Sequence, residues 1–344
     1  MNPDKLIIGT RGSALALWQT NHVARRLKAA HPGLVLEIVK IKTTGDKITD
    51  TALSRIGGKG LFTKELEQAL IDGQIDLCVH SMKDVPTELP EGLVLTAMLE
   101  RADVRDALVL RPGLAGEGAG LEALPEGARV GTSALRRQAQ LRALRSDLEL
   151  VDLRGNLDTR LRKVAEGAYD AAVLASAGIS RMGWAEQISA YLPCELVLPA
   201  CAQGAIGIEC RADDVAVRTL CAPLADAPTM AAVNAERQVM AALDGGCQTP
   251  FAAYGRFEQV ATAPTGATGS AGSSTDTNLF KLTSLVASVD GQTVLTAEGT
   301  CDLPAVADLG DAAVQHAITQ TATQVIADLL TQGAAQIMEE ARYQ

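Results

Sequence analysis

Short apolar runs alternate with longer stretches of mixed polarity through the first 200 residues. KLIIGT (5–10) reads as a buried strand. After Arg11-Gly12-Ser13 a helix is expected from Ala14 towards Ala30, stopped by Pro32-Gly33. LVLEIVKI (34–41) is a second strand, followed by the loop KTTGDK, the glycine-rich RIGGKG and a helix from Leu61 to about Asp72. IDLCVHS (75–81) makes a third strand that ends in the loop MKDVPTELPEG. Strands alternating with helices imply a parallel sheet with helices on its faces.

The same order then begins again. ARVGTSALRRQ (128–138) echoes LIIGTRGSALA (6–16), and GAYDAAVLASAG (167–178) echoes GQIDLCVHSMKD (73–84). Two echoes in one order predict a pair of similar α/β lobes facing each other across a cleft. Ligands in such sheets bind beyond the carboxyl ends of the strands, which is where Ser13, Lys83, Asp84, Ser133 and Arg154 fall. LVLPACAQGAIGIECR (196–211) is expected to return the chain to the first lobe. From about Pro228 the texture changes. A helix, MAAVNAERQVMAAL, leads to GGCQTPF, and three strand-like runs follow, with Asp290-Gly291 as a hairpin turn. A terminal helix over roughly 310–340 completes a small α+β unit, which carries a low-complexity excursion at 260–278.

Composition narrows the function. The chain has 344 residues, enough for two or three domains, and is 47% hydrophobic. A net charge of −10 argues against a general polyanion binder, and ten aromatics argue against a stacking platform for nucleic acid. The seven cysteines form no CxxC pair and the four histidines are scattered, so no metal is expected from spacing. The amino-terminal stretch lacks the pattern of a secretory signal, and no apolar run approaches the length of a membrane span. With free thiols, this points to a soluble cytoplasmic protein.

Arginine placement is the strongest chemical signal. Between Arg129 and Arg181 lie nine arginines and a single lysine, where a merely solvated surface would mix the two. The planar fork of arginine suits bidentate contact with carboxylate or phosphate. Arg136 and Arg137 fall in the first turn of a helix expected to be capped by Thr132 or Ser133. Cations there oppose the helix dipole, and a bound anion would suit both. Asp84, sharing a cleft with such arginines, is either an ion-pair partner or a general acid/base and cation stabiliser. GGKG at 57–60 lacks the spacing of a phosphate loop. Cys247 follows two glycines on a loop, and the stretch alone leaves open an incidental surface thiol, a nucleophile or an attachment point.

Seven blocks, in order, resemble the porphobilinogen deaminase (hydroxymethylbilane synthase) family: GTRGSALALWQT, GDKITDTALSRIGGKGLFTKELE, DLCVHSMKDVPT, GTSALRRQAQL, LRGNLDTRLRK, LPACAQGAIGIECR and GGCQTPFAAY. Ala134, where the family often has a second serine, and the 260–278 insertion depart from its pattern. The resemblance implies two lobes like periplasmic binding proteins (1–102 with 200–222, and 103–199) and a C-terminal domain over 223–344. It implies a dipyrromethane cofactor joined by a thioether to Cys247. On it four porphobilinogen molecules would be condensed head to tail, with loss of ammonia, into linear hydroxymethylbilane. By motif position Asp84 would be the catalytic acid and cation stabiliser. Ser81, Lys83, Thr132, Ser133, Arg136 and Arg137 would hold cofactor carboxylates. Arg11, Ser13, Arg154, Arg160 and Arg181 would hold substrate and growing chain, with Lys59 and Phe62 on a segment closing over the cleft. A monomer is expected, with no nucleic-acid or membrane partner. A non-catalytic, two-lobed carboxylate-binding protein is the alternative from another class; it leaves Cys247 and Asp84 without a purpose.

Overall fold

The computed structural model describes residues 5–47, 60–114, 120–246, 249–260, 277–304 and 308–342. The first apolar runs pair as the alternation demands. β1 (Lys5–Thr10) lies parallel to β2 (Val35–Lys40) and to β3 (Leu77–Ser81). Between them run α1 (Ala14–Ala30), the short α2 (Thr44–Lys47) and α3 (Lys64–Ile71). Ser13 caps α1 by accepting the Ala16 N–H at 3.3 Å, which fixes where the strand-to-helix turn ends. The sheet is completed by β4 (Leu93–Met98), which follows the MKDVPTELPEG loop and is left unassigned by the sequence pattern. Inserted between β3 and β4, and antiparallel to both, is a strand from much later in the chain, Ile206–Arg211.

The second sheet repeats this plan. In chain order its strands are β5 (Asp106–Leu110), β6 (Arg129–Gly131), β7 (Glu149–Val151), β8 (Ala171–Ala175) and β9 (Ala190–Leu192). The late strand of the first sheet is then β10. The orders β2-β1-β3-β10-β4 and β7-β6-β8-β5-β9 correspond strand for strand, with β10 and β5 the antiparallel members. α4 (Leu135–Leu144), α5 (Leu157–Ala165) and α6 (Ser176–Arg181) connect the second set. The two echoes in the sequence thus mark β1–α1 against β6–α4, and β3 against β8.

Two crossover segments join the lobes, one leaving β4 and one entering β10. They approach so closely at Gly204 (φ +87°) that a Cβ there would stand 2.5 Å from the Ala102 carbonyl oxygen. After β10 the chain forms α7 (Val215–Cys221) and α8 (Ala227–Ala242), then an antiparallel sheet of β11 (Phe251–Val260), β12 (Thr277–Ala287) and β13 (Val294–Pro304). The Asp290-Gly291 turn joins β12 to β13 as expected, with Gly291 at φ +74°. The terminal helix is two helices, α9 (Ala312–Thr331) and α10 (Ala334–Arg342), because Gly333 at φ +97° breaks the run. α8 and α9 cover the three-stranded sheet with Phe280, Leu282, Val239, Val325 and Leu329 as its core. Met82, Val85 and Met98 of the first lobe join that same core, so the lobe and the C-terminal domain are packed together. Among the described residues no helix is long and apolar enough to cross a membrane.

Candidate functional site

The carboxyl ends of β1 and β3 bring Arg11, Ser13, Ser81 and Asp84 to the wall of one pocket, with Phe62 and His80 beside them. Arg11 grips Asp46 at 2.6 Å and lies 4.1 Å over the Phe62 ring. Burial alone would raise the Asp46 carboxyl, but hydrogen bonds from Arg11 and Thr43 outweigh it and hold it below the usual range. Ser81 exchanges hydrogen bonds with Gln19 of α1 at 2.8 and 3.2 Å. Lys83 and Asp84 follow in the 3-10 turn Met82–Asp84. Burial pulls the Lys83 ammonium down to about 8, with Asp84 opposing the shift and Arg137 and Arg136 adding to it. Arg237 of α8 donates to the carbonyls of Val85, Pro86 and Thr87 at 3.1, 2.6 and 3.2 Å, which pins the chain just after Asp84.

On the other side of the cleft, α4 starts at Leu135 rather than directly at Thr132 or Ser133. Ala134 is its N-cap residue and makes no side-chain cap. Ser133 instead bonds both polar atoms of the Leu153 backbone, and the Thr132 hydroxyl accepts the Ala134 N–H at 3.4 Å. The anion that two arginines in a first helical turn call for is supplied by the protein itself. Asp106, the fully buried first residue of β5, takes Arg136 in a fork at 2.7 and 3.1 Å and Arg137 at 2.7 Å. Burial would raise its carboxyl, yet the two guanidinium groups hold it well below the carboxylate range. The same two terminal nitrogens of Arg136 also donate to the Leu198 carbonyl and to Gln203 Oε1.

Arg137 differs from its neighbour. It is 6% exposed and its Nε is buried without a partner. Arg160 of α5 donates to the Gly155 carbonyl at 2.8 Å; burial, Arg137 and Arg154 oppose its charge while Asp84 supports it. Lys83 of the first lobe and Arg160 of the second are therefore both within electrostatic reach of Asp84, and Arg137 is within reach of both cations. Arg181, at the end of α6, donates to the Gly204 carbonyl at 2.6 Å, and burial draws it down to about 10. Such a set of cations suits a ligand bearing several carboxylates.

Arginine density overstated the size of this cluster. Arg129, Arg145 and Arg162 pair with Glu149, Asp147 and Glu166, and Arg142 donates to the Val289 carbonyl. Sequence reading also missed Asp106, Arg237 and the buried pair Arg101–Glu236. Glu236 takes Arg101 in a fork at 2.5 and 3.1 Å and accepts the N–H groups of Ala202 and Gly255, tying both crossovers to the C-terminal domain. Each of these partners is distant along the chain, and a single charged residue in an apolar strand or helix is the only signal it leaves.

Lys59, Cys247 and the body of the 260–278 insertion lie outside the described residues. The flanks of Cys247 are ordered: Thr249 donates its N–H to the Gly246 carbonyl at 3.2 Å, and its hydroxyl accepts the Gly246 N–H at 3.0 Å. Burial pushes the six described thiols up, Cys194 and Cys210 to about 11 and Cys221 to about 12, which leaves them poor nucleophiles.

Two family models match the chain: "Porphobilinogen deaminase, dipyromethane cofactor binding domain" over residues 6–219, and "Porphobilinogen deaminase, C-terminal domain" over residues 230–317. A porphobilinogen deaminase of Geobacter metallireducens is 50% identical over 291 residues, covering 85% of this chain and 84% of its own. One of Syntrophobacter fumaroxidans is 46% identical over 338 residues, 98% of each chain. Among solved structures the methionine binding protein MetQ aligns with 64% of this chain and 89% of its own, at 14% identity and a TM-score of 0.40.

Proposed function

Because the chain belongs to the porphobilinogen deaminase family, an enzyme family of tetrapyrrole biosynthesis with a dipyrromethane-binding domain, we propose that it condenses four porphobilinogen molecules head to tail, releasing ammonia at each addition and finally hydroxymethylbilane, from a cofactor attached through Cys247. The observation that carries this reading is the convergence of Lys83 and Arg160, one from each lobe, on Asp84, with Arg137 acting on both cations. The residues fit the cofactor: the buried, unpartnered Nε of Arg137 awaits an acceptor, and the neighbouring cations match a dipyrromethane's carboxylates.

When bound, the dipyrromethane supplies the pyrrole carbon on which the chain grows. Lys83 and Arg137 hold its carboxylates, with Ser81, Thr132 and Ser133 at the strand ends around them. Arg136, whose terminal nitrogens are held by Asp106, Leu198 and Gln203, acts by fixing, through the shared Asp106, Arg137 beside it. Arg11, Ser13, Arg154, Arg160 and Arg181 receive the substrate's acetate and propionate, and Phe62, with Lys59 near it in sequence, lies on the covering segment. Asp84 passes a proton to the departing amino group, and its carboxylate then faces the cation left on the substrate. That charge grows only along the reaction coordinate, so Asp84 lowers the barrier more than it tightens binding. The attachment thiol must stay free until it is loaded, which agrees with the reducing cytoplasm. The carboxylate-binding alternative gives no use for an acid at the centre of the cations.

Intact mass tests the reading. Denatured, active protein should exceed its sequence mass by two pyrrole units, and Cys247→Ser should lose the excess and most activity. Active protein of unmodified mass would remove the covalent cofactor.

A further inference from the structure

Away from the cleft cations, on the face of the first sheet that α3 covers, four titratable side chains meet. Strand alternation puts Cys78 and His80 of β3 on one face, and the antiparallel register sets Glu209 of β10 directly opposite Cys78. All three are buried. Cys78 Sγ lies 2.9 Å from His80 Nε2, His80 Nε2 lies 2.8 Å from Glu209 Oε2, and the thiol stands 3.5 Å from that same oxygen. Glu67 descends on them from α3, 6% exposed, close enough for its carboxyl to interact with both Glu209 and His80.

Hydrogen bonds alone serve this arrangement poorly. An imidazole nitrogen has a single direction to offer, one N–H or one lone pair, yet Nε2 has two neighbours within 3 Å. Glu209 Oε1 and Glu67 Oε1 are both buried with no partner, and an unmet buried carboxylate oxygen is costly. A cation between the three donors would take one lone pair from each and leave none competing.

We propose that Cys78, His80 and Glu209 form a binding site for a borderline-soft divalent cation of the zinc class, closed from α3 by Glu67. Thiolate, imidazole and carboxylate are the donor types zinc prefers; the 3.5 Å between Cys78 and Glu209 already matches an edge of a tetrahedral zinc site, and His80 needs to draw back by roughly half an ångström from each of them. Binding displaces the Cys78 proton, which leaves to solvent, and the metal–sulfur bond replaces the S–H bond. His80 also lines the cleft pocket. Sequence spacing hides the site, because Cys78 and Glu209 are 131 residues apart.

Co²⁺ and Zn²⁺ are the probes, added to chelator-stripped, cofactor-bearing protein that is then desalted and assayed for metal. Wild type should retain about one equivalent of either ion, show a thiolate-to-cobalt charge-transfer band and unfold at a higher temperature with Zn²⁺. Cys78→Ala, which keeps the apolar packing, should lose the band and bind Co²⁺ at least tenfold more weakly; Glu209→Gln should also weaken retention. Cys78→Ser serves as the comparison should the alanine variant fold badly. Wild type retaining no more metal than these variants, or a band that survives Cys78→Ala, would overturn the proposal and leave a hydrogen-bonded cluster only.

Discussion

Asp106→Asn keeps the shape of a fully buried side chain and removes the one anion that Arg136 and Arg137 share. Oδ2 accepts from Arg136 at 2.7 Å; Oδ1 accepts from Arg136, Arg137 and Gln203 at 3.1, 2.7 and 2.8 Å. An amide has one acceptor oxygen, so in either orientation its NH₂ faces a guanidinium N–H. Breaking a buried pair costs about 3–5 kcal/mol, and two stranded cations put this case near the upper end, about 4–5 kcal/mol. Leu198 O and Gln203 Oε1 still accept from Arg136, which keeps the figure from growing further. Trp184 packs in the core of the second lobe with Ala107 and Val109, so in a Trp18→Phe background its fluorescence follows that lobe. With a urea slope of about 2 kcal/mol per molar, the midpoint should fall by roughly 2 M. Asp106 has a depressed folded pKa, so its contribution is present above the unfolded value of about 3.9 and is lost as pH falls towards the folded one. The gap between wild type and variant should therefore hold from about pH 8 to 5 and narrow below about pH 4. A loss under about 1 kcal/mol at pH 7, or a gap indifferent to acid, would refute the reasoning.

Asp84→Asn should retain the cofactor by mass yet lose several orders of magnitude in turnover, with Asp84→Glu partly active; near-normal kcat in the loaded asparagine variant removes Asp84 from the chemistry. Lys83 is charged below about 8, so binding of a polycarboxylate, measured by titration calorimetry on apoprotein, should weaken as pH rises through that value, and Lys83→Met should abolish this dependence. Because the depressed pKa means that the unfolded chain holds more protons between about 8 and 10.5, apoprotein stability should rise over the same window. Glu236→Gln strands the largely buried Arg101 and leaves the Ala202 and Gly255 N–H groups competing for one acceptor; a loss of about 3–5 kcal/mol and early proteolysis between the second lobe and α8 are expected, and unchanged protease resistance would count against a clamp there.

The lobes were legible because their signals are local. Gly-Thr after an apolar run, then a serine and Ala-Leu, describes a strand, a tight turn and a helix within eleven residues, and it does so twice. The return of Ile206–Arg211 to the first sheet was legible as an apolar run, Ile206, Ile208 and Cys210, on one face of a strand whose other face carries Gly207, Glu209 and Arg211. β4, β5 and β9 were not, because they lie among proline- and charge-rich segments. The arginine signal was half right about its chemistry. Two guanidinium groups in a first turn do call for an anion, but nothing near them in the chain says that Asp106, thirty residues earlier, provides it. The same limit hides Arg237, whose hold on the Asp84 loop spans about 150 residues.

The place of β10 also bears on the order in which the molecule takes shape during synthesis. The second sheet is made from one uninterrupted stretch, Asp106 to Leu192, and can close as soon as that stretch has emerged. The first sheet begins at Lys5 but lacks its fourth strand until Arg211 appears, leaving the edges of β3 and β4 unpaired in the meantime. The lobe that is translated first is thus the one finished later, and its two open edges are where a nascent chain would most need a chaperone.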